Sequence, residues 1–424
     1  MVTQRLLVLV LVLCVAACSG PRKLVDAPTQ FVAEGYPEEQ VPVPQRQASA
    51  KLLYATDRLP VRGYFGSDRS NALVFGTIDV AFGEDASWDE LVAASETWDR
   101  DRKFPIEIRT FDEVGRFRDT PLPFAVENGK PVELPMPKAV YQKSERQFQE
   151  MVAERVKAAP EKDVIIFIHG FNNTFEDSAL SMAEIWHFMG RQGVPLLYTW
   201  PAGRGGLVGY FTDRESGEFT IFHLKETLRL VASSPGVERI HIVAHSRGTD
   251  VVTTALRELV LTTRAAGRDP RTELKVHNLV LAAPDLDFGV AGQRLIAERF
   301  APAFGRLTVY TNNSDGALGV SQFLMEGLRL GRLRPNEISG DEQRIFERVR
   351  NVNFVNVPQA RGFFGHSYFR DTPGTLSDLA SVIREDADPG SRERPLTWLG
   401  GNFWEIPDDY HATRSVSPAR SPDT

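Results

Sequence analysis

A serine hydroxyl attacks a carbonyl only when the fold exposes it and a base removes its proton. Ser246 meets the first condition by its surroundings in RIHIVAHSRGTDVVTTALREL. Ala244 and Gly248 stand two residues to either side. Small residues are required there when a strand turns at once into a helix, because the two backbones approach closely around the serine. The serine is then held in a strained conformation with its Oγ above the strand end. The helix N-terminus behind it favours the negative charge that develops during acyl transfer. A bare small-x-Ser-x-small pentapeptide also fits an ordinary strand-to-helix turn, so the flanking elements and the base must decide.

The chain has 8 histidines, few enough to take singly. His169 ends a strand and belongs to the turn that follows; His187 and His223 fall in helical stretches. His241 and His277 lie at strand beginnings, away from the serine's edge; His245 adjoins the serine, where the sharp turn directs its side chain elsewhere; His411 is in the tail. His366 alone follows a strand late in the chain, in a Gly-flanked loop at the correct edge, and is the candidate base. A base needs an orienting acid. Asp285 and Asp287 follow one late strand and Asp315 follows the next.

The elements that must position these groups alternate. Arg239–Ala244, Val164–Ile168 and VPLLYTWPA read as short buried strands, and HNLVLAAPDLD, RLTVYTNNSDGAL and NVNFVNVPQ as the later ones, the last of these being the final strand. Between them Ser178–Met189, Leu224–Ala232 and Val251–Leu259 carry helical periodicity. This order predicts an α/β fold, a mostly parallel central sheet with helices on both faces. KLLYATDR, NALVFGTIDVAF and FPIEIRTF supply strands ahead of the core, and Tyr141–Ala158 reads as a helix. GRGGLVGYFTDRESGEF reads as a Gly-rich loop leaving a strand's C-terminal end, where such loops line a ligand crevice, so Tyr210, Asp213 and Arg214 are pocket candidates. A solvated loop with local ion pairs explains them equally well. GRGG lacks the Lys-Ser/Thr of a phosphate loop.

With 424 residues and a net charge of -7, the chain can bury a sizeable core and offers no basic tract for nucleic acid. Arg5 precedes the apolar run Leu6–Leu13, too short to span a bilayer, and Val15-Ala16-Ala17-Cys18 closes it. That tetrapeptide resembles the bacterial lipoprotein box, which implies lipidation at Cys18 and, from Ser19, sorting to the outer membrane. Ordinary signal cleavage after Ala17 and an uncleaved anchor are the alternatives. With Cys14 removed and Cys18 lipidated, the mature chain keeps no thiol for a disulfide, a nucleophile or a metal. The expected organisation is a signal peptide over 1–17, a Pro- and Gln-rich tether over 18–50, a hydrolytic domain over 51–406 with N-terminal strands 51–160 and core 161–370, and a disordered tail over 407–424.

YATDR, FGTIDV, FIHGFNN, YTWPAG, Tyr210 with Asp213-Arg214-Glu215, IVAHSRG, LAAPDLD, YTNNSDGAL, Leu330-Gly331 and GHSYF together resemble the α/β-hydrolase superfamily. More narrowly they resemble the bacterial α/β hydrolases of unknown function, DUF900, from about Leu52 to Phe369. The resemblance implies an α/β-hydrolase fold with an oxyanion hole from the backbone N–H groups of Phe171 and Arg247. Asp315, after the penultimate strand, is favoured over Asp285 as the acid. His169, Asn172, Tyr210, Arg214 and Asp285 are implied to surround the pocket. Arg247 departs from the family, where many members have Met, and alters pocket charge without removing a backbone donor. The expected protein is a lipid-anchored serine hydrolase of the bacterial envelope, acting on carboxylic esters, with thioesters and lipids next and peptides disfavoured. No metal or cofactor is expected. The alternative is a non-catalytic envelope lipoprotein that uses the fold as a binding scaffold.

Overall fold

The computed structural model describes residues 22–325, 327–334, 337, 351–360 and 365–410. Cys18, the signal stretch and the tail beyond residue 410 lie outside the described residues. The described residues open with α1 (Thr29–Glu34), then pair β1 (Ser49–Val61) with β2 (Tyr64–Phe82), followed by α2 (Trp88–Ala94) and β3 (Ile106–Arg116). A hairpin of β4 (Phe124–Glu127) and β5 (Lys130–Glu133) leads into α3 (Pro135–Ala158). The core then alternates β6 (Asp163–Ile168), α4 (Phe175–Phe188), β7 (Val194–Thr199), α5 (Gly206–Ser233), β8 (Arg239–His245) and α6 (Gly248–Ala265). After α7 (Pro270–Leu274) come β9 (Val276–Ala282), α8 (Phe288–Ala291), β10 (Arg306–Thr311), α9 (Gly316–Met325) and β11 (Val352–Asn356). α10 (Tyr368–Asp371), α11 (Pro373–Ile383), β12 (Thr397–Gly400) and β13 (Phe403–Glu405) close the described chain.

Among the described residues one 11-stranded sheet runs β12-β13-β11-β10-β9-β8-β6-β7-β1-β2-β3. From β13 to β1 every neighbour is parallel, while β2, β3 and β12 are antiparallel. β6 and β7 are buried at every position because helices cover both faces, which is why such strands read as unbroken apolar runs. Alternation still assigns the faces. Ile166 and Ile168 join Leu228, Val252 and Leu256 of α5 and α6, while Ile165 and Phe167 join Ala179 and Ile185 of α4. The chain therefore has the mostly parallel α/β architecture that its alternating elements predicted, in keeping with the α/β-hydrolase fold that the resemblance implied.

Four expectations are corrected. The described part of the supposed tether, residues 22–50, is packed: Leu24, Phe31, Tyr36 and Val41 are buried. Its backbone is held from afar, with the Arg100 guanidinium donating to the carbonyls of Leu24 and Val25 at 2.7 Å each, and Ser377 Oγ accepting from Gln30 N–H at 3.0 Å. Single anchors with distant partners leave no periodicity to read. Second, the Gly-rich stretch is a loop only to Gly205; positive φ at Gly203, Gly205 and Gly206 makes the turn, and α5 takes up the rest. Third, β11 is not the final strand, since β12 and β13 extend the sheet. Fourth, residues 407–410 are not disordered, because Tyr410 is buried and donates to Asp378 Oδ1 at 2.7 Å.

A packed segment and a tether respond differently to truncation of a side chain. Phe31→Ala should lower stability by about 3 kcal/mol, the usual cost of emptying a buried phenylalanine site. Denaturant unfolding of the full chain reads it, and an unchanged midpoint would return this segment to a tether.

Candidate active site

The turn from β8 into α6 presents Ser246. Its φ is 51°, a left-handed value that a side chain rarely adopts. Its N–H donates to the Ala282 carbonyl at 2.9 Å, and its own carbonyl accepts from Thr249 Oγ1 at 2.6 Å and Asp285 N–H at 3.3 Å. Two glycines allow this approach. A Cβ on Gly248 would lie 2.3 Å from the His169 carbonyl, and one on Gly170 would lie 2.6 Å from Ser246 Cβ. The His169–Phe171 turn therefore rests directly against the serine.

The structure brings Ser246, His366 and Asp315 into one line. Ser246 Oγ lies 2.6 Å from His366 Nε2, and His366 Nδ1 lies 2.7 Å from Asp315 Oδ2. A carboxylate can only accept, so Nδ1 carries the proton and Nε2 is left to accept from the serine. Asp315 caps α9, its Oδ1 accepting from Leu318 N–H at 3.0 Å, so a helix N-terminus supports its charge. Asp285 sits in a different network. It accepts from Tyr210 Oη at 2.9 Å and Ser321 Oγ at 2.6 Å, with Arg329 Nε at 3.5 Å. Burial first, then Asp285, pushes the Tyr210 phenol up, so it remains a donor.

Among the described residues neither Phe171 N–H nor Arg247 N–H has a protein acceptor, while the neighbouring Asn172 N–H is taken by Asp213 Oδ2 at 3.1 Å. The Arg247 side chain folds back to Asp250 at 3.0 Å and leaves its Nε buried without a hydrogen-bond partner among the described residues. The Phe171 ring meets Tyr210 edge-on at 5.4 Å.

Two expected pocket residues are not brought to the site. His169 is fully buried beneath it, accepting from Trp200 N–H at 3.0 Å and stacked on the Trp200 ring at 5.1 Å. Arg214 is exposed and reaches Met325 instead. Asn172 does stand in the turn, at φ 55°, beside Gly205. The candidate Asp213 is a buried brace: one carboxylate oxygen accepts from Asn172 N–H and from Gly203 N–H at 3.2 Å.

Sequence reasoning missed two residues. His245 does not turn away: its Nε2 donates to the His366 carbonyl at 3.0 Å, and its ring lies between His366 and Phe369. Arg58 of β1, buried, donates to the carbonyls of Asn173 at 2.7 Å and Ala202 at 2.8 Å and so ties both loops beside the serine. Its place in the TDR of an otherwise apolar strand was the available signal. A cleft of about 1080 Å³ lies elsewhere, between the β4–β5 hairpin, α3 and α5. On its floor His223 bridges Asp57 at 3.0 Å and Thr120 at 3.2 Å, bracing α5 against β1.

Residues 144–384, more than half of the chain, match the family described as alpha/beta hydrolase of unknown function (DUF900). No curated protein matches. Similar solved structures include a CIB-like hydrolase from Thermoplasma acidophilum (14% identity, TM-score 0.33, covering 53% of this chain and 88% of that one). Another is Est1E from Butyrivibrio proteoclasticus with ferulic acid bound (12%, 0.32, 53% and 90%). A third is a hyperthermophilic esterase from the archaeon Pyrobaculum calidifontis (13%, 0.27, 58% and 91%).

Burial, then the neighbouring His366, pushes the His245 imidazole down to about 3. In the unfolded chain it titrates near 6.5. Between those values the unfolded state takes up a proton that the folded state refuses. Its contribution is therefore complete above about pH 6.5 and is lost as pH falls, at up to about 1.4 kcal/mol per pH unit. His245→Gln should flatten the acid side of a plot of Tm against pH. Equal slopes for variant and wild type would contradict a buried neutral imidazole.

Proposed function

The chain belongs to the DUF900 family of α/β hydrolases, and from that premise we propose that it is a serine hydrolase cleaving carboxylic esters through an acyl-enzyme on Ser246. The observation that carries this reading is the continuous hydrogen-bonded line from Ser246 Oγ through His366 to Asp315, 2.6 and 2.7 Å long in its two links. In the proposed reaction Ser246 Oγ attacks the acyl carbonyl while His366 Nε2 takes its proton. Asp315 holds the imidazole in the required tautomer and stabilises the imidazolium. The oxyanion is received by the N–H groups of Phe171 and Arg247. His366 then returns the proton to the departing alkoxide. Water, deprotonated by the same imidazole, attacks the acyl carbonyl and releases Ser246. Esters are preferred over amides because an alkoxide leaves more readily than an amine; thioesters and lipids follow.

We further propose that the protein is held at the bacterial envelope, at the outer membrane, by lipid on Cys18. More than one acyl chain is expected, because a single chain anchors only marginally. Metabolic labelling with an alkyne fatty acid should mark the wild type and spare Cys18→Ala; equal labelling of both excludes this anchor.

Turnover of p-nitrophenyl esters, read beside Tm, tests the chemistry. Ser246→Ala should lower kcat by about 10⁴-fold or more and abolish reaction with a fluorophosphonate probe. Asp315→Asn should also cost about 10⁴, because the imidazole loses its preferred tautomer. Asp285→Asn should cost far less in kcat and show chiefly as a lower Tm, through Tyr210 and Ser321. A larger kcat loss for Asp285→Asn at unchanged Tm would move the acid one strand earlier. A wild-type protein inert to both probe and esters would favour a binding scaffold.

A further inference from the structure

Glu184 is a fully buried carboxylate that the proposed reaction does not use. It lies on α4, on the face of the sheet that also carries α11, and three groups from two distant segments converge on it. Its Oε2 meets Arg370 Nη1 at 3.1 Å and Arg22 Nη2 in a close ion pair, and its Oε1 accepts from Val25 N–H at 3.2 Å. Arg22 is fixed further by donating to the Asp177 carbonyl at 2.9 Å and Ser181 Oγ at 3.1 Å, both on the same helix. Arg370 stands one helical turn beyond His366, and the turn Gly365–Ser367 runs directly into α10. The imidazole and the guanidinium thus ride on one short helical unit.

That unit is seated by contacts close to the sheet. Tyr368 Oη donates to the Tyr310 carbonyl at 2.9 Å, and the Phe369 ring stacks on His245 at 4.6 Å and Phe167 at 6.2 Å. Those contacts seat its near side against the sheet. The Arg370–Glu184 pair anchors its far end to α4. We infer that Glu184 is a positioning residue for His366, and that the N-terminal segment completes the active site by supplying Arg22 as its second counter-charge. This rests on the reading of His366 as the base for Ser246.

The electrostatics support it. Burial pushes the Glu184 carboxyl up to about 7, with Arg22 and Val25 N–H pulling the other way. Withdrawal of Arg22 removes the largest charge opposing that burial and leaves the carboxylate to Arg370 and the more distant Arg100, which favours its neutral form. Arg370 then keeps only the neighbouring Asp371, 3.5 Å from its Nε, as an anionic partner and loses its tie to α4, although nothing in the reacting line has changed. A displacement of about 1 Å in a reacting group can cost about 10²-fold in rate.

The test uses the full chain and two readouts, the rate of fluorophosphonate labelling and the kcat and KM for a p-nitrophenyl ester. Glu184→Gln and Arg22→Ala should each slow labelling and lower kcat by about tenfold or more with KM unchanged, since neither side chain touches substrate. Arg22→Lys should restore most of the loss. Phe148→Leu, in the core of the opposite face, supplies a control with lowered Tm and an intact clamp. If Glu184→Gln does not fold, Arg22→Ala decides, because Arg22 is partly exposed. A labelled wild type whose clamp variants react at its rate, or lose no more than the control at matched Tm, overturns the inference and leaves the serine-hydrolase reading standing. A wild type that is not labelled overturns that reading and the inference with it.

Discussion

The left-handed backbone at Ser246 is the constraint around which the sheet edge is arranged. A residue held there costs about 1–3 kcal/mol and persists only when its surroundings over-determine it. They do so here from three strands. β8 leads into the turn, β9 takes the Ser246 N–H at Ala282, and the segment after β9 returns the Asp285 N–H to the Ser246 carbonyl. β6 contributes by proximity, since the ideal Cβ positions on Gly170 and Gly248 fall 2.6 and 2.3 Å from their neighbours. Any side chain at either glycine would drive β6 and α6 apart and release the strain that exposes the hydroxyl.

Beneath this elbow the loops are organised by one cation and one anion with no part in the proposed chemistry. Arg58 collects the carbonyls of Asn173, Ala202 and Gly66, and Asp213 collects the N–H groups of Asn172 and Gly203. Burial pulls the guanidinium down to about 10, which leaves it charged at any physiological pH. The two groups satisfy opposite ends of the same loop backbone, so both loops are held without regular structure. Because Arg58 lies on β1, which pairs with β7, the N-terminal strands are part of the site's foundation.

Local signals of sufficient length were legible in the sequence. Apolar runs such as VIIFI and HIVA marked strands buried on both faces, and Ala244 and Gly248 marked the close approach at Ser246. His366 emerged because the other histidines stood at strand beginnings, in helices, in the turn after β6, beside the serine or in the tail. What stayed illegible depends on partners far along the chain. Phe31 and Tyr36 are single anchors in a Pro-rich stretch whose backbone is met by Arg100, Ser377 and Glu96. The glycines before α5 mark only its start, and the short edge strands β12 and β13 carry too few residues for a period. His245 was misread because the elbow determines where its backbone goes, whereas its ring is placed by Phe369 and His366.

The two acids that the sequence left in competition are joined by a single helix. α9 begins at Asp315, which caps it and faces His366; six residues on, Ser321 donates to Asp285. Asp285 in turn holds Tyr210, whose ring meets Phe171, and the Gly170 turn beside Phe171 rests on Ser246. Contacts therefore close a ring from Ser246 through His366, Asp315, α9, Asp285, Tyr210 and Phe171 back to Ser246. On the proposed reading one arc of that ring moves the proton and the other receives the oxyanion. A shift of α9 would displace both together, so the distance between base and oxyanion donors is set by the ring as a whole, which is how preorganisation at this precision is achieved.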